Sequence, residues 1–308
     1  FAQQQLEQVE PVLVPVLKSV QELEHLLVFD KLDIDFAIDE EGLVQIFQVR
    51  PIVVDHSEFE DDLEFVQSGL ESCVAHFQSQ QVSQPFIHGQ KTIFANMPDW
   101  NPAEIIGTRP KPLAFSLYRH LITNDIWALQ RAEFGYRDVR PCPLIHSFAG
   151  QPYVDARASL NSFIPAILPE ESAIRLASAY LNFLSDNPQY HDKIEFDVAF
   201  TIWTPCFEEN ARQRLTPYGV TEDDIRQLET ALKNITAAAL TRLPDDVASL
   251  AQLTQRRNEI GSSDLAEIDK IFLLLNDCRQ YGTLAFSHAA RAGFVATTLL
   301  KSFVSTTV

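Results

Sequence analysis

The stretch from Asp33 to Ile52, DIDFAIDEEGLVQIFQVRPI, constrains this chain more than any other. Asp33-Ile34-Asp35-Phe36-Ala37-Ile38 alternates acid and apolar, so as a strand it puts both carboxylates on one face. Asp39-Glu40-Glu41-Gly42 supplies a turn, with Gly42 free to take positive φ. Leu43 to Arg50 runs back, Pro51 ends the ladder, and the period of two places Gln48 and Arg50 on a common face. An antiparallel pairing would converge two acids, an amide and a guanidinium on one patch. Such a set can hold Mg²⁺ through the acids and a phosphate through the arginine.

Composition sets outer bounds. A length of 308 residues allows two domains, and 46% apolar residues suffice for a sizeable core. No apolar run reaches the roughly 18 residues of a membrane span, and no signal-peptide pattern is visible. Net charge is −18, from 24 basic and 42 acidic residues, which argues against a nucleic-acid or anionic-membrane surface. Cys73, Cys142, Cys206 and Cys278 form no Cys-x-x-Cys pair and read as reduced thiols in a cytoplasm. The eight histidines show neither His-x-x-x-His nor His-Glu-x-x-His spacing, so zinc is not expected. His146, between two predicted strands, could line a pocket, although a satisfied core histidine is the commoner case. There is no Gly-x-Ser-x-Gly elbow and no Gly-rich phosphate loop.

The hairpin residues resemble the close of the ATP-grasp nucleotide domain of pyruvate phosphate dikinases and phosphoenolpyruvate synthases. That family ends the domain in a D-I-E-(F/W)-A-(I/V) strand and a (L/F)-Q-x-R-P strand. Asp33 and Asp35 match the acidic pair, with Asp35 where the family has Glu, and Gln48 and Arg50 match its Gln and Arg. The resemblance implies that Asp35 and Gln48 hold the metal, Arg50 contacts the terminal phosphates and Asp33 supports the site. It implies Mg²⁺ and ATP as cofactors of a parent enzyme, with neither bound tightly by this piece. The chain opens at Phe1 on an amphipathic helix (Leu6, Val9, Leu13, Val16, Leu17, Val20, Leu23, Leu26, Leu27). With the phosphate loop missing, the resemblance implies an interior piece of a larger enzyme. An upstream ATP-grasp lobe and a downstream phosphohistidine domain of the same polypeptide would be its partners, alongside a small-molecule acceptor, with room left for a homodimer.

The segment from Asn96 to Tyr118 resembles the central region of phosphoenolpyruvate synthase-like proteins. Residues 281–294 resemble a helix of that region. Asp99, Trp100, Asn101 and Glu104, in a proline-stiffened loop, suit the rim of an acceptor pocket, and Arg109 and Lys111 could receive its anionic group. The competing reading is a packed connector whose Asp99 or Asn101 caps a turn. In the related rifampin phosphotransferases the central domain receives the phosphate acceptor. Ser287-His288-Ala289-Ala290 matches the phosphohistidine motif of the family, but no Gly-Gly-Thr turn precedes it and its flanks carry helical apolar spacing. His288 is expected on a helix face, leaving no catalytic residue in this piece.

The expected fold class is α+β, mostly helical: the C-terminal piece of an ATP-grasp domain, a helical linker and a largely helical central domain, divided as 1–55, 56–90 and 91–308. Expected elements beyond the hairpin are helices over 58–81, 113–134, 172–185, 222–241, 265–281 and 283–304. Strands are expected over 91–95, 143–148, 152–156 and 193–204. The expected activity is that of a phosphotransferase with paired acceptors, making phosphoenolpyruvate from ATP and pyruvate through a histidine beyond this chain. The alternatives are a relative that phosphorylates another acceptor, as rifampin phosphotransferases do, and a non-catalytic docking scaffold with a degenerate nucleotide lobe.

Overall fold

The computed structural model describes residues 13–29, 32–39, 42–51, 63–95 and 105–305. The chain divides into two compact units, residues 1–63 and 64–308. The described residues are mostly helical with two small antiparallel sheets, an α+β arrangement.

In the first unit, helix α1 (Val14–Leu27) precedes strands β1 (Leu32–Ile38) and β2 (Val44–Pro51). Pro15 sits in the first turn of α1, where its missing N–H costs nothing, and Val28 closes the helix at φ 52°. Asp39 organises the turn between the strands: its backbone N–H donates to the Leu43 carbonyl at 3.0 Å and its carboxylate accepts from the Leu43 N–H at 2.8 Å. Gly42 adopts φ 81°, a conformation open to glycine at little steric cost. Val16 is the one buried hydrophobic residue among those described in this unit, while Leu26, Phe36, Leu43 and Phe47 are exposed.

The second unit has a single contiguous core running from Ile87 to Val295. It comprises α2 (Leu63–Gln80), β3 (Phe94–Ala95), α3 (Pro112–Tyr118), α4 (Ile126–Glu133), β4 (Ile145–Phe148), β5 (Gln151–Asp155), α5 (Ala156–Asn161), α6 (Glu170–Asp186), α7 (Phe207–Leu215), α8 (Glu222–Gly261), α9 (Glu267–Asp277) and α10 (Leu284–Ser305). The sheet runs β3-β5-β4, all antiparallel, with Ala149 (φ 49°) and Gly150 (φ 81°) making the two-residue turn from β4 to β5. Arg157, fully buried at the start of α5, ties the segment after α2 to the sheet. Its guanidinium donates to the carbonyls of Gln80 (3.0 Å), Val82 (2.7 Å) and Gly89 (3.2 Å).

Several expected elements differ from those observed: the strand expected over 91–95 is confined to Phe94–Ala95, and the helices expected over 265–281 and 283–304 are joined by a π-helical segment, Cys278–Thr283. Residues 193–204 do not form a strand. Ile194–Val198 is a π-helical turn followed by irregular backbone. Ile194 and Val198 are both buried, so the alternation is equally an i, i+4 pair, and over five residues the two periods coincide. The expected helix 113–134 is broken into α3, a π-helical segment Arg119–Thr123 and α4. The helix expected over 222–241 runs on to Gly261, carrying Pro244 in its interior.

Candidate functional site

The hairpin brings four of the expected site residues together. The register pairs Asp33 with Arg50 and Asp35 with Gln48, so all four lie on one face. The ladder slips directly after Asp35–Gln48: Phe36 next pairs with Ile46, which leaves Phe47 as the extra residue of a bulge. The slip confines the charged set to the end of the hairpin away from its turn. Arg50 Nη2 lies 2.9 Å from Asp33 Oδ2 and 3.5 Å from Asp35 Oδ2. All three side chains are about half exposed. An ion pair this wet stabilises a fold by at most about 1 kcal/mol. Its more definite effect is to hold the guanidinium against the acids.

The donor set suits Mg²⁺. Two carboxylates and an amide carbonyl are hard oxygen donors, and Mg²⁺ is commonly held by one or two carboxylates with phosphate and water completing the octahedron. Asp33 is the acid more tightly engaged by Arg50. Asp35, at the longer distance and opposite Gln48, is the freer ligand. The residues present could supply part of a coordination sphere, with the remainder left to phosphate oxygens and water. Among the described residues no group of three or more His, Cys, Asp or Glu side chains is arranged to hold a metal by itself.

Most of the expected acceptor rim falls outside the described residues. Asp99, Trp100, Asn101 and Glu104 lie outside the described residues. Arg109 and Lys111 are exposed, and Lys111 immediately precedes α3.

His288 lies in α10 and is buried. Its Nδ1 is 2.9 Å from Asp246 Oδ1 and its Nε2 is 3.1 Å from Glu133 Oε2. Arg242 grips Asp246 through Nε (2.8 Å) and Nη2 (3.0 Å) and lies over the Phe134 ring, 4.3 Å from its centre. Burial holds the His288 pKa below its ordinary value, and the Arg242 charge adds to this against the opposing pull of Asp246. Burial pushes the Glu133 carboxyl up. Burial also acts to raise Asp246, but hydrogen bonds from Arg242 and the charge of His288 outweigh it and keep that carboxyl low. Arg242 Nη2 also lies 2.8 Å from His288 Nδ1 and 3.2 Å from Nε2, so charged side chains meet both ring nitrogens. Neither ring nitrogen is open to an incoming phosphoryl group, which two carboxylates would also repel.

His146, which sequence reasoning offered as a pocket residue, belongs to a further cluster whose other members it did not supply. His146 Nδ1 is 3.2 Å from His76 Nε2, and His146 Nε2 is 3.8 Å from Asp155 Oδ2. His146, Asp155 and Cys142 line a cavity of ≈180 Å³. His76 and His146 are 70 positions apart, and no spacing signal links a helix residue to a strand residue at that separation. No protein-family model matches the chain, and no curated protein or solved structure matches it.

Proposed function

We propose that the Asp33–Asp35–Gln48–Arg50 face is the metal- and phosphate-contacting end of an ATP-grasp nucleotide site, and that the chain is part of an ATP-dependent phosphotransferase of the phosphoenolpyruvate synthase type. The observation that carries this reading is the cross-strand register, which sets two acids, an amide and a guanidinium on one exposed face. Phosphoryl transfer depends on positioning and charge neutralisation more than on covalent chemistry from the protein, and a rigid hairpin is suited to both.

In this reading Arg50 turns its fork from Asp33 and Asp35 to the terminal phosphates, where a planar bidentate donor is favoured. Asp35 and Gln48 hold Mg²⁺, and Asp33 keeps Arg50 oriented. Bound Mg²⁺ supplies neutralisation of charge on the phosphate oxygens. The phosphocarrier would be a histidine elsewhere in the parent polypeptide, because His288 has both ring nitrogens facing carboxylates.

A second reading, a docking scaffold, is favoured by one observation: Arg50 is already engaged by both acids, as a site no longer used for phosphate would leave it. The test is incubation of the natural full-length protein with Mg·ATP, with mass spectrometry at alkaline pH to locate phosphohistidine. The phosphotransferase reading expects label outside residues 1–308 and its loss in Arg50→Ala. Absence of both label and ATP binding would leave the scaffold.

A further inference from the structure

A cavity of ≈160 Å³ lies among the π-helical turn Ile194–Val198, the irregular segment that follows it, α7 and α10. Two arginines line it, Arg214 and Arg291, together with Glu195, whose carboxylate is ion-paired with Arg291, and with Asn210, Thr201 and the rings of Phe200 and Phe294. They come from separate parts of the chain, and no motif announces them.

The two arginines differ in how their charge is met. Arg291 is 4% exposed, is ion-paired with Glu195 and donates to the Tyr136 hydroxyl at 3.1 Å. Its Nε is nevertheless buried without a hydrogen-bond partner. A buried N–H left unpaired costs about 1–3 kcal/mol, so the Arg291 charge is met by Glu195 and Tyr136 and not by a full set of hydrogen bonds. Arg214 is half-buried. Its guanidinium sits 4.5 Å from the centre of the Phe200 ring and 5.6 Å from that of Phe183. Its hydrogen bond is a long one, 3.5 Å from Nη1 to the Val198 carbonyl. No carboxylate among the described residues lies within ion-pair distance of it. Burial lowers the Arg214 pKa from its ordinary value, and Tyr180 and Asp197 offset that only in part. A guanidinium held out of water on aromatic faces, with its fork unspent, is arranged to receive an anion. Arg214 and Asn210 also border a second cavity of ≈330 Å³ with Tyr190 and Asp197, so this arginine is a wall common to both. The π-helical turn beside them, with Glu195 and Asp197 on it, is a device found frequently at functional sites.

We propose that this cavity binds a small organic anion, a carboxylate or phosphate on a compact body, with Arg214 supplying the charge. Phe200 and Phe294 would flank the body of the ligand, and Asn210 and Thr201 would offer neutral hydrogen bonds. An engineered cavity of about 150 Å³ admits benzene, which sets the size of the body. The inference does not depend on the hairpin reading.

Calorimetric titration of the 308-residue protein with inorganic phosphate, with propionate and with neutral propionamide, at fixed ionic strength, tests it. One of the anions is expected to bind with a dissociation constant of about 1 mM or tighter, and propionamide is not. Arg214→Gln should weaken that binding about tenfold or more. Arg212→Gln, which removes an exposed guanidinium on the same helix as Arg214, held by Glu208 and by Glu222 of α8, should change it by less than about twofold. Asn210→Asp places a negative charge at an exposed position on the cavity wall and should weaken binding about fivefold, whether or not Arg214→Gln folds. Phosphate binding would identify a phosphoryl group, and propionate binding a carboxylate. Binding of neither anion would overturn the assignment, as would equal losses in Arg212→Gln and Arg214→Gln or an Asn210→Asp variant that binds as tightly as the parent.

Discussion

Arg50 and His288 are both charged-group centres, but their surroundings give them different roles. Around Arg50 the acids are half exposed and the stabilisation is small, so Arg50→Ala should change unfolding free energy by less than about 1 kcal/mol. If the proposed phosphotransferase reading holds, the same substitution should abolish phosphohistidine labelling of the full-length protein, which separates a binding role from a structural one. Around His288 the reverse holds. Its folded pKa lies below its ordinary value, so the fold favours the neutral ring. That contribution to stability is fully present above about pH 6.5, the usual value for an unfolded histidine, and is lost as pH falls toward the lower folded pKa. Denaturant melts between about pH 7 and pH 6 should therefore show stability falling with pH. His288→Asn, which can still donate to Asp246, should flatten that slope. An unchanged slope would mean that the titration belongs to another group. The hairpin residues were legible from sequence because a strand period of two assigns faces directly. The Asp246–His288–Glu133 chain was not, because its members are 42 and 155 positions apart.

At the scale of the element, the start of α8 was easier to read than its extent. Thr221 caps α8 through a reciprocal pair with Asp224, and Glu222, Asp223 and Asp224 favour the helix dipole. Asp224 is also gripped by Arg175 through Nε and Nη2, both at 2.8 Å. The hydrogen bond from Arg175 holds this carboxyl well below the usual carboxylate range, outweighing the effect of burial. Its contribution to stability is present above about pH 4 and is lost as pH falls below that value. Asp224→Asn should cost about 2 kcal/mol at neutral pH and should reduce the loss of stability on acidification. Urea melts at pH 7 and pH 3 read both quantities. The far end of α8 escaped prediction because Pro244 marks a helix stop locally, yet packing carries the helix through it. The π-helical segments at 119–123 and 194–198 escaped for a related reason: an extra residue in a turn leaves almost no trace in apolar spacing.

At the scale of the whole molecule, the two units differ in how much of a core each possesses. The second unit buries Tyr136, Phe163, Tyr180 and Phe207 almost completely, with Arg157 among them. Residues 64–308 alone should therefore unfold cooperatively. Residues 1–63 alone should show no cooperative transition, since Val16 is the buried hydrophobic residue among those described there. Thermal denaturation of the two pieces followed by circular dichroism checks this, and a cooperative melt of 1–63 would contradict it. Among the described residues no helix is long and apolar enough to cross a membrane.

What the sequence determined by itself was local: the hairpin and the shared face of Asp33, Asp35, Gln48 and Arg50, the helical character of most of the chain, and the strands around Ala149-Gly150. These follow from periodicity and turn chemistry, which act over a few residues. Tertiary structure alone decided the bulge at Phe47, the passage of α8 through Pro244 and the irregular path of residues 193–204. It also decided the placing of Arg214 and Arg291 on one cavity and the meeting of His76 with His146. Each of these depends on burial and on partners distant in sequence, where the free energy of packing exceeds local propensity and spacing carries no record of it.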